Sequence, residues 1–225
     1  MYKEKTDREL IEILKIQKSL TFESQLNLKE EFNKRDTIID ISDLKNSINE
    51  KIMKIKNLDY LKNLGFQFEN NNNSIKIFRT TKAIVVDVLG IIFGILLCVI
   101  AVYGLIGIIS SLKNENEFNI LSLIIQVGMI ALGFVGIGFL NGLKRLIDYS
   151  DFELSNTNGL VTLKKRVDVK ILETQKNEDS FQLKKGSELL TLQFDNIKIL
   201  SANVNNIVQT MTINELSKRL TNSLD

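Results

Sequence analysis

The chain has 225 residues, with 29 Lys and Arg residues against 27 Asp and Glu residues, so its net charge is close to zero. This balance excludes the chain-wide positive field with which many proteins bind nucleic acid. There is no His and only one Cys, so the commonest metal ligand and general base is missing and no internal disulfide can form. The abundance of Lys, Ile, Asn and Leu suggests an AT-rich bacterial genome.

The start of the chain shows the periodicity of short amphipathic helices and predicts a helical module over residues 1–65. Thr6 and Glu9 have the spacing of a capping box, and apolar residues follow them at helical intervals. The predicted helices begin after Thr6, after Thr21 and near Ser42, and the second and third end near Arg35 and Gly65. Their apolar stripes are narrow, so they must pack on each other, on another chain or on the C-terminal region.

The segment from Arg8 to Arg35 contains an E-L-x-x-I-L element, followed by an amphipathic helix that ends in E-F-x-x-R. In this order of elements it resembles a helical pair at the start of many uncharacterised bacterial membrane proteins. The resemblance implies a membrane protein but no particular chemistry.

A short alternating segment, residues 66–82, links the helical module to the apolar part of the chain. Its two runs, FQFE and SIKIF, flank a row of Asn residues at 70–73. Polar residues between two alternating runs are typical of a turn, so the segment predicts a β-hairpin.

Two uncharged apolar runs predict transmembrane helices at residues 83–110 and 120–142. After Asp87 the first run has no charge, and residues 88–109 alone cover ~33 Å as a helix, enough for a hydrocarbon core of ~30 Å. Because this run begins well inside the chain, we expect an internal span and not a cleaved signal. The loop, residues 111–119, is so short that the helices must be antiparallel neighbours.

The distribution of basic residues predicts which side of the membrane each part faces. The loop between the apolar runs has Lys113 as its only basic residue, whereas the outer flanks are rich in Lys and Arg. Because cytoplasmic flanks are enriched in these residues, both termini are predicted to be cytoplasmic in a bacterial inner membrane that the chain crosses twice. The basic flank residues are Lys76, Arg79, Lys82, Lys144 and Arg145. Of these, Lys82, Lys144 and Arg145 are expected to contact the membrane surface.

Glycine is concentrated in the apolar runs, at the small-xxx-small spacing that lets helix backbones approach closely. The pattern occurs as Gly90 with Gly94 in the first run and as Gly138 with Gly142 in the second. These four glycines are predicted to form a helix contact. That contact is either within one hairpin or between two copies of the chain.

Polar side chains inside a membrane are candidates for function, because they are costly unless they are paired. Asp87 lies near the cytoplasmic end of the first run, where Lys82 or Arg145 is within reach. Gln126 lies in the outer half of the second run and is expected to hydrogen-bond across the hairpin. Cys98 is surrounded by apolar residues and is expected to be a buried thiol of low reactivity. One amide and no deep charge do not make an ion pathway.

From Tyr149 onward the sequence alternates with the period of β-strands, and it predicts a small mainly-β domain over residues 148–225. Asn-Thr-Asn-Gly at 156–159 and Lys-Lys-Gly-Ser at 184–187 are predicted hairpin turns. Further strands are predicted around residues 167–171, 190–194, 197–199 and 204–208. A capping box at Thr212 and Glu215 predicts that a terminal helix starts there.

Six or seven strands followed by one amphipathic helix predict a small β-sandwich or barrel plugged by that helix. After a two-helix membrane hairpin, this order is similar to the pleckstrin-homology-like domains of bacterial membrane proteins. The resemblance implies binding of proteins or lipid surfaces, or self-association, and no catalysis. Two basic clusters, residues 164–166 and Lys184 with Lys185, are either solvated turns or contacts to the anionic inner leaflet.

The sequence contains no phosphate-binding loop, dinucleotide fingerprint, zinc-protease motif, nucleophile elbow or paired C-x-x-C. It therefore predicts no enzyme, no catalytic or metal-binding residues, no cofactor and no nucleic-acid partner. The expected function is a membrane-anchored scaffold whose cytoplasmic parts bind an unknown protein or a second copy of the chain. Two alternatives are an immunity protein that protects against a toxin, and an accessory subunit of a transport complex.

Overall fold

The computed structural model describes residues 2–35, 39–71, 74–113, 119–167 and 170–221, with the backbone alone for Val167. The helices of this part are α1 (Asp7–Lys15), α2 (Phe22–Arg35), α3 (Ser42–Lys56), α4 (Thr81–Lys113), α5 (Ile120–Asp148) and α6 (Ile207–Thr221). Short 3₁₀ helices occur at Gln17–Ser19, Asp59–Leu64 and Glu178–Ser180. The strands are β1 (Phe66–Asn71), β2 (Ser74–Arg79), β3 (Glu153–Thr157), β4 (Leu160–Val167), β5 (Lys170–Asn177), β6 (Phe181–Lys185), β7 (Leu189–Phe194) and β8 (Ile197–Asn203).

The strands form two antiparallel sheets. β1 to β5 lie in one sheet in sequence order, so the predicted hairpin before the apolar runs shares a sheet with the strands that follow them. β6, β7 and β8 form the second sheet, in which Phe181 pairs with Phe194 and Leu183 with Leu192. The C-terminal part of the chain is therefore mainly β with a terminal helix, as its alternating pattern predicts.

The predicted turn between β3 and β4 is present. Asn158 and Gly159 have φ angles of 53° and 82°, the left-handed conformation that Asn and Gly tolerate best. Farther along, residues 167–171 were expected to form one continuous run, but β4 ends at Val167 and β5 begins at Lys170. Val169, which belonged to that expected run, lies outside the described residues.

The chain divides into two compact units. The first comprises Met1–Lys76, Ser155–Val161 and Gln175–Asp225, and the second comprises Ile77–Leu154 and Thr162–Thr174. The first unit therefore combines both ends of the chain, and the second contains α4 and α5.

The helical core of the first unit consists of α1, α2 and α3, with α6 packed against them. Leu10, Leu28 and Leu44 are completely buried, one on each N-terminal helix. Ile207 and Met211 of α6 pack against this cluster. The sequence left three partners open for the N-terminal helices, and the structure shows two of them, each other and the C-terminal region.

α1 begins with the predicted capping box. The backbone N–H of Glu9 donates to Oγ1 of Thr6 at 3.4 Å, and the backbone N–H of Thr6 donates to the Glu9 carboxylate at 2.8 Å. The bond from the Thr6 backbone is the main reason that the pKa of Glu9 lies below its usual value. The contribution of this carboxylate to stability is therefore lost as the pH falls through its folded-state pKa.

The third predicted helix ends earlier than expected. α3 stops at Lys56, and Leu58 adopts a left-handed conformation with a φ of 61° while its side chain is only 2% exposed. Burial of Leu58 therefore accompanies a break in the helix that helical periodicity did not reveal. Gly65, with a φ of 87°, does end a helical segment, but this is the 3₁₀ helix that follows.

The terminal helix begins five residues before the predicted capping box, and residues 207 and 208, which were expected to be in a strand, are helical. Asn206 provides the cap, since its Oδ1 accepts from the backbone N–H of Gln209 at 3.2 Å. Thr212 lies inside the helix, where its hydroxyl donates to the carbonyl oxygen of Val208 at 2.7 Å. The prediction of a start at Thr212 is wrong because the preceding apolar residues pack as helix against the N-terminal core.

A buried amide joins the N-terminal elements, and its removal gives a first prediction. Gln25 is completely buried, and its Nε2 donates to the carbonyl oxygen of Gln17 at 2.7 Å and to Ser47 Oγ at 3.1 Å. We expect Gln25→Met to lower the free energy of unfolding by about 1–2 kcal/mol, because these buried partners lose their hydrogen bonds. Hydrogen exchange of α2 and α3 amides measures the change.

The matched control for this substitution is Gln182→Met, at an exposed position on β6. We expect it to change stability by less than about 0.5 kcal/mol. Equal exchange rates in the two variants would show that the Gln25 bonds contribute nothing.

In the second unit, α4 and α5 are long and apolar enough to cross a membrane, judged by length and composition. Both extend beyond the predicted apolar runs. α4 starts at Thr81 because Oγ1 of Thr80 accepts the backbone N–H of Ala83 at 3.2 Å. α5 continues to Asp148 because Lys and Arg, which end an apolar run, are good helix formers.

Candidate functional site

The buried residues of α4 at its contact with α5 follow a seven-residue repeat. Spacings that alternate between three and four residues are typical of helices packed side by side over several turns. The buried positions with this spacing are Gly94, Leu97, Ala101 and Gly104 on α4 and Gly133 and Gly136 on α5. The contact therefore has the form of a helix pair whose close positions are small residues.

Glycine lets the two backbones touch at this contact. A Cβ atom added at Gly94 would lie 2.8 Å from the carbonyl oxygen of Gly136, and one added at Gly136 would lie 2.8 Å from the carbonyl oxygen of Gly94. A Cβ atom added at Gly133 would lie 2.5 Å from Cβ of Ala101. A larger side chain at any of these positions would push the helices apart.

The four glycines singled out from the sequence occupy different surroundings. Gly94 lies in the close contact, and a Cβ atom added at Gly142 would lie 3.4 Å from the backbone oxygen of Asp87. Gly90 has only an ordinary van der Waals neighbour, at 3.9 Å. At Gly138 an added Cβ atom would meet nothing within 4 Å, so this glycine lies outside the α4–α5 contact. The small-xxx-small motif places two small residues four positions apart, whereas the buried residues of α4 at this contact recur every seven positions.

Gln126 hydrogen-bonds across the hairpin, as its position predicted. Its Nε2 lies 3.4 Å from Oγ of Ser111 on α4 and 3.1 Å from Oγ of Ser122 on its own helix. Gly107 makes room for this amide, because an added Cβ atom would lie 2.8 Å from Nε2. The pairing satisfies the amide donor inside an apolar contact.

A charged cluster lies where α4 begins and α5 ends. Its members are Arg79, Asp87 and Arg145, named here the hairpin-base cluster. The Asp87 carboxylate pairs with Arg79 through Oδ2, and its Oδ1 lies 3.2 Å from Nη2 of Arg145. The side chains of Asp87 and Arg79 are 4% and 7% exposed, whereas that of Arg145 is 65% exposed. One buried carboxylate therefore faces two guanidinium groups.

Tyr149 and Lys165 extend the hairpin-base cluster. The guanidinium carbon of Arg79 lies 5.4 Å from the centroid of the Tyr149 ring, and Nζ of Lys165 lies 4.8 Å from it. Both distances are within the range of cation–π attraction. Burial, with a further contribution from the negative charge of Asp148, raises the pKa of Tyr149 above its ordinary value, and Arg79 partly opposes this. Tyr149 therefore stays neutral at physiological pH and provides an aromatic surface between two cations.

Each member of the hairpin-base cluster is positioned by the end of a secondary-structure element. Arg79 is the last residue of β2, directly before the capping residue Thr80. Asp87 lies in the second turn of α4, and Arg145 lies in the last turn of α5. Gly142, one turn before Arg145, leaves the space into which the backbone of Asp87 fits.

The sequence predicted part of this arrangement. It offered Lys82 or Arg145 as partners of Asp87, and the structure shows Arg145, while Lys82 is exposed and forms no ion pair among the described residues. Arg79 was missed as a partner because it lies in a strand, so no helical spacing connects it to Asp87. Lys144 is exposed beside Arg145.

The basic cluster at residues 164–166 differs from its expected surroundings. All three residues lie in β4 and not in a turn, and Lys165 is 9% exposed. The prediction of a turn is therefore wrong for these residues, and Lys165 is not solvated because its ammonium group contacts the ring of Tyr149, whereas Lys164 is exposed. Lys184 and Lys185 end β6 and are exposed.

The chemistry available in these sites is recognition of charge. Within the described ranges, no group of three or more His, Cys, Asp or Glu side chains is placed to hold a metal ion. Comparison with protein-family models, with curated proteins and with solved structures gave no match to this chain.

Proposed function

We propose that the chain is a non-catalytic membrane protein that anchors an interaction module at the cytoplasmic face of a bacterial inner membrane. The observation that supports this most directly is the outer surface of α4 and α5. Large apolar side chains cover it, and among them Phe134 is 73% exposed and Leu112 is 68% exposed. An apolar surface of this extent is unfavourable in water, whereas lipid tails solvate it.

The charges at the two ends of the hairpin support an orientation with both termini in the cytoplasm. Arg79, Lys82, Lys144 and Arg145 lie where α4 begins and α5 ends, whereas Lys113 is the basic residue at the opposite end of α4. An excess of Lys and Arg on the cytoplasmic side is the rule for membrane hairpins. The first compact unit then belongs to the cytoplasm.

The interaction module of this proposal is the first compact unit. Segments from before and after the hairpin both contribute to it. The resemblance to a pleckstrin-homology-like domain concerns residues 148–225, which the two units share, and that identity remains a prediction. The proposed activity is binding of a second protein or a second copy of the chain.

Labelling of single cysteines tests the orientation. In a Cys98→Ser background, we expect a membrane-impermeant maleimide to label Lys113→Cys in sealed right-side-out vesicles, because Lys113 ends α4 on the outer side. Lys54→Cys, exposed on α3, is expected to react only after detergent opens the vesicles. The reverse pattern would invert the proposed topology. Release of the chain by alkaline carbonate would contradict membrane insertion.

Crosslinking tests the interaction function. The full chain with a C-terminal tag is crosslinked in native membranes, purified and analysed by mass spectrometry, beside an unrelated two-span protein with the same tag. We expect a partner, or a crosslinked dimer, that is enriched only with this chain. Recovery of the chain as a monomer alone would contradict the interaction function while leaving the topology result unchanged.

A further inference from the structure

We propose that the exposed face of Arg145 in the hairpin-base cluster binds the phosphate group of an anionic membrane phospholipid. The inference rests on the proposed membrane insertion and adds a ligand to it. Its starting point is the exposed arginine of the cluster: Arg145 shares the Asp87 carboxylate with Arg79 and has no second carboxylate among its described contacts.

Arg145 is held in place while most of its binding groups remain open. Its guanidinium contacts Asp87 through Nη2 at 3.2 Å, yet the side chain is 65% exposed. A guanidinium group has five N–H donors in a planar fork that matches phosphate oxygens. One anchored nitrogen limits the rotation of the group, so less conformational entropy is lost when the other donors bind an anion.

The cluster also lies at the depth where lipid phosphates are found. The apolar run of α4 begins directly after Asp87, and that of α5 ends directly before Lys144 and Arg145. In an inserted hairpin this boundary separates the hydrocarbon core from the headgroups. Lys82 and Lys144, both exposed at the same helix ends, add positive charge, from which the carboxylate of Asp148 in the last turn of α5 subtracts. The negative end of the α5 dipole offsets only part of it.

The test measures lipid adducts of the purified full chain in neutral detergent by native mass spectrometry. Phosphatidylglycerol, phosphatidylcholine and inorganic phosphate are titrated separately. We expect phosphatidylglycerol to bind more tightly than phosphatidylcholine, and Arg145→Gln to weaken its binding about tenfold, as for loss of a charge-assisted hydrogen bond. Arg8→Gln, the same change at an exposed arginine on α1, is expected to leave binding unchanged.

Further variants keep the test independent of folding. Arg145→Lys keeps the charge but not the fork and is expected to weaken binding less than Arg145→Gln. Lys82→Gln leaves the cluster intact and is expected to weaken the binding of phosphatidylglycerol less than Arg145→Gln does. Equal affinity for the two lipids, or an unchanged affinity in Arg145→Gln, would overturn the proposal.

Inorganic phosphate distinguishes a lipid site from a site for free phosphate. If it binds through Arg145 as tightly as phosphatidylglycerol, the lipid assignment is wrong. The vesicle labelling of Lys113→Cys is measured separately, so failure of the lipid site can be told apart from failure of the membrane topology.

Discussion

Replacing Asp87 by Leu is expected to lower the free energy of unfolding by about 3–5 kcal/mol, because it removes a buried carboxylate that pairs with the buried guanidinium of Arg79. The side chain of Arg79 is 7% exposed, so water cannot replace the lost partner. Arg79→Met is expected to lower the free energy of unfolding by less than Asp87→Leu does, since Asp87 keeps its contact with Arg145. The double variant Asp87→Leu/Arg79→Met is expected to recover much of the loss, because an apolar pair replaces a buried ion pair well.

The stability of these three variants is measured through the native Cys98. Its Sγ lies 3.9 Å from the carbonyl oxygen of Gly133, so the thiol reports separation of the two helices. Labelling of Cys98 by a fluorogenic maleimide is followed during heating of the full chain in detergent. The control is Glu50→Leu, at an exposed carboxylate on α3. We expect its free energy of unfolding to lie within about 0.5 kcal/mol of that of the parent chain. A stable Asp87→Leu variant would show that the ion pair is dispensable.

Replacing Gly94 by Leu is expected to destabilise the helix pair by about 3 kcal/mol. Its Cβ atom would lie 2.8 Å from the carbonyl oxygen of Gly136, and a backbone cannot move aside as a flexible side chain can. The helices must therefore separate along several turns of the contact. The same Cys98 labelling detects this separation at a lower temperature.

Gly138→Leu is the matched control, since an added Cβ atom at Gly138 meets nothing within 4 Å. We expect the temperature at which half of the Cys98 thiol is labelled to stay unchanged or rise slightly, because Leu favours helix more than Gly does. Equal destabilisation by the two substitutions would contradict the described contact. A change in oligomeric state in Gly138→Leu alone would assign this glycine to a contact between chains.

What could be predicted from the sequence depended on local signals. The capping box at Thr6, the apolar runs and the Asn-Gly turn at 158–159 each act within a few residues, and all are present in the structure. Gln126 could be assigned a partner across the hairpin because a short loop leaves only one neighbouring helix. In each case the determining interaction is close in sequence or imposed by the topology.

The features that escaped prediction depend on contacts between distant segments. Arg79 pairs with Asp87 across a change from strand to helix, where periodicity gives no guidance. The start of α6 at Ile207 depends on packing against helices made from the other end of the chain. The buried contact residues of α4 follow a seven-residue repeat that includes Ala101, and a search for glycine pairs four apart does not find it.

The helical core of the first compact unit can be completed during translation only after both apolar helices have been made. α1, α2 and α3 leave the ribosome before the two apolar helices, whereas α6, which packs on their core, is made after them. Arg219 of α6 donates a hydrogen bond to the carbonyl oxygen of Lys56 at 2.5 Å, across 163 residues that include both apolar helices. The N-terminal helices therefore remain with an incomplete core while the hairpin is synthesised. Over that interval the apolar faces of α1, α2 and α3 lack the residues of α6 that cover them, and apolar surface exposed in this way favours aggregation.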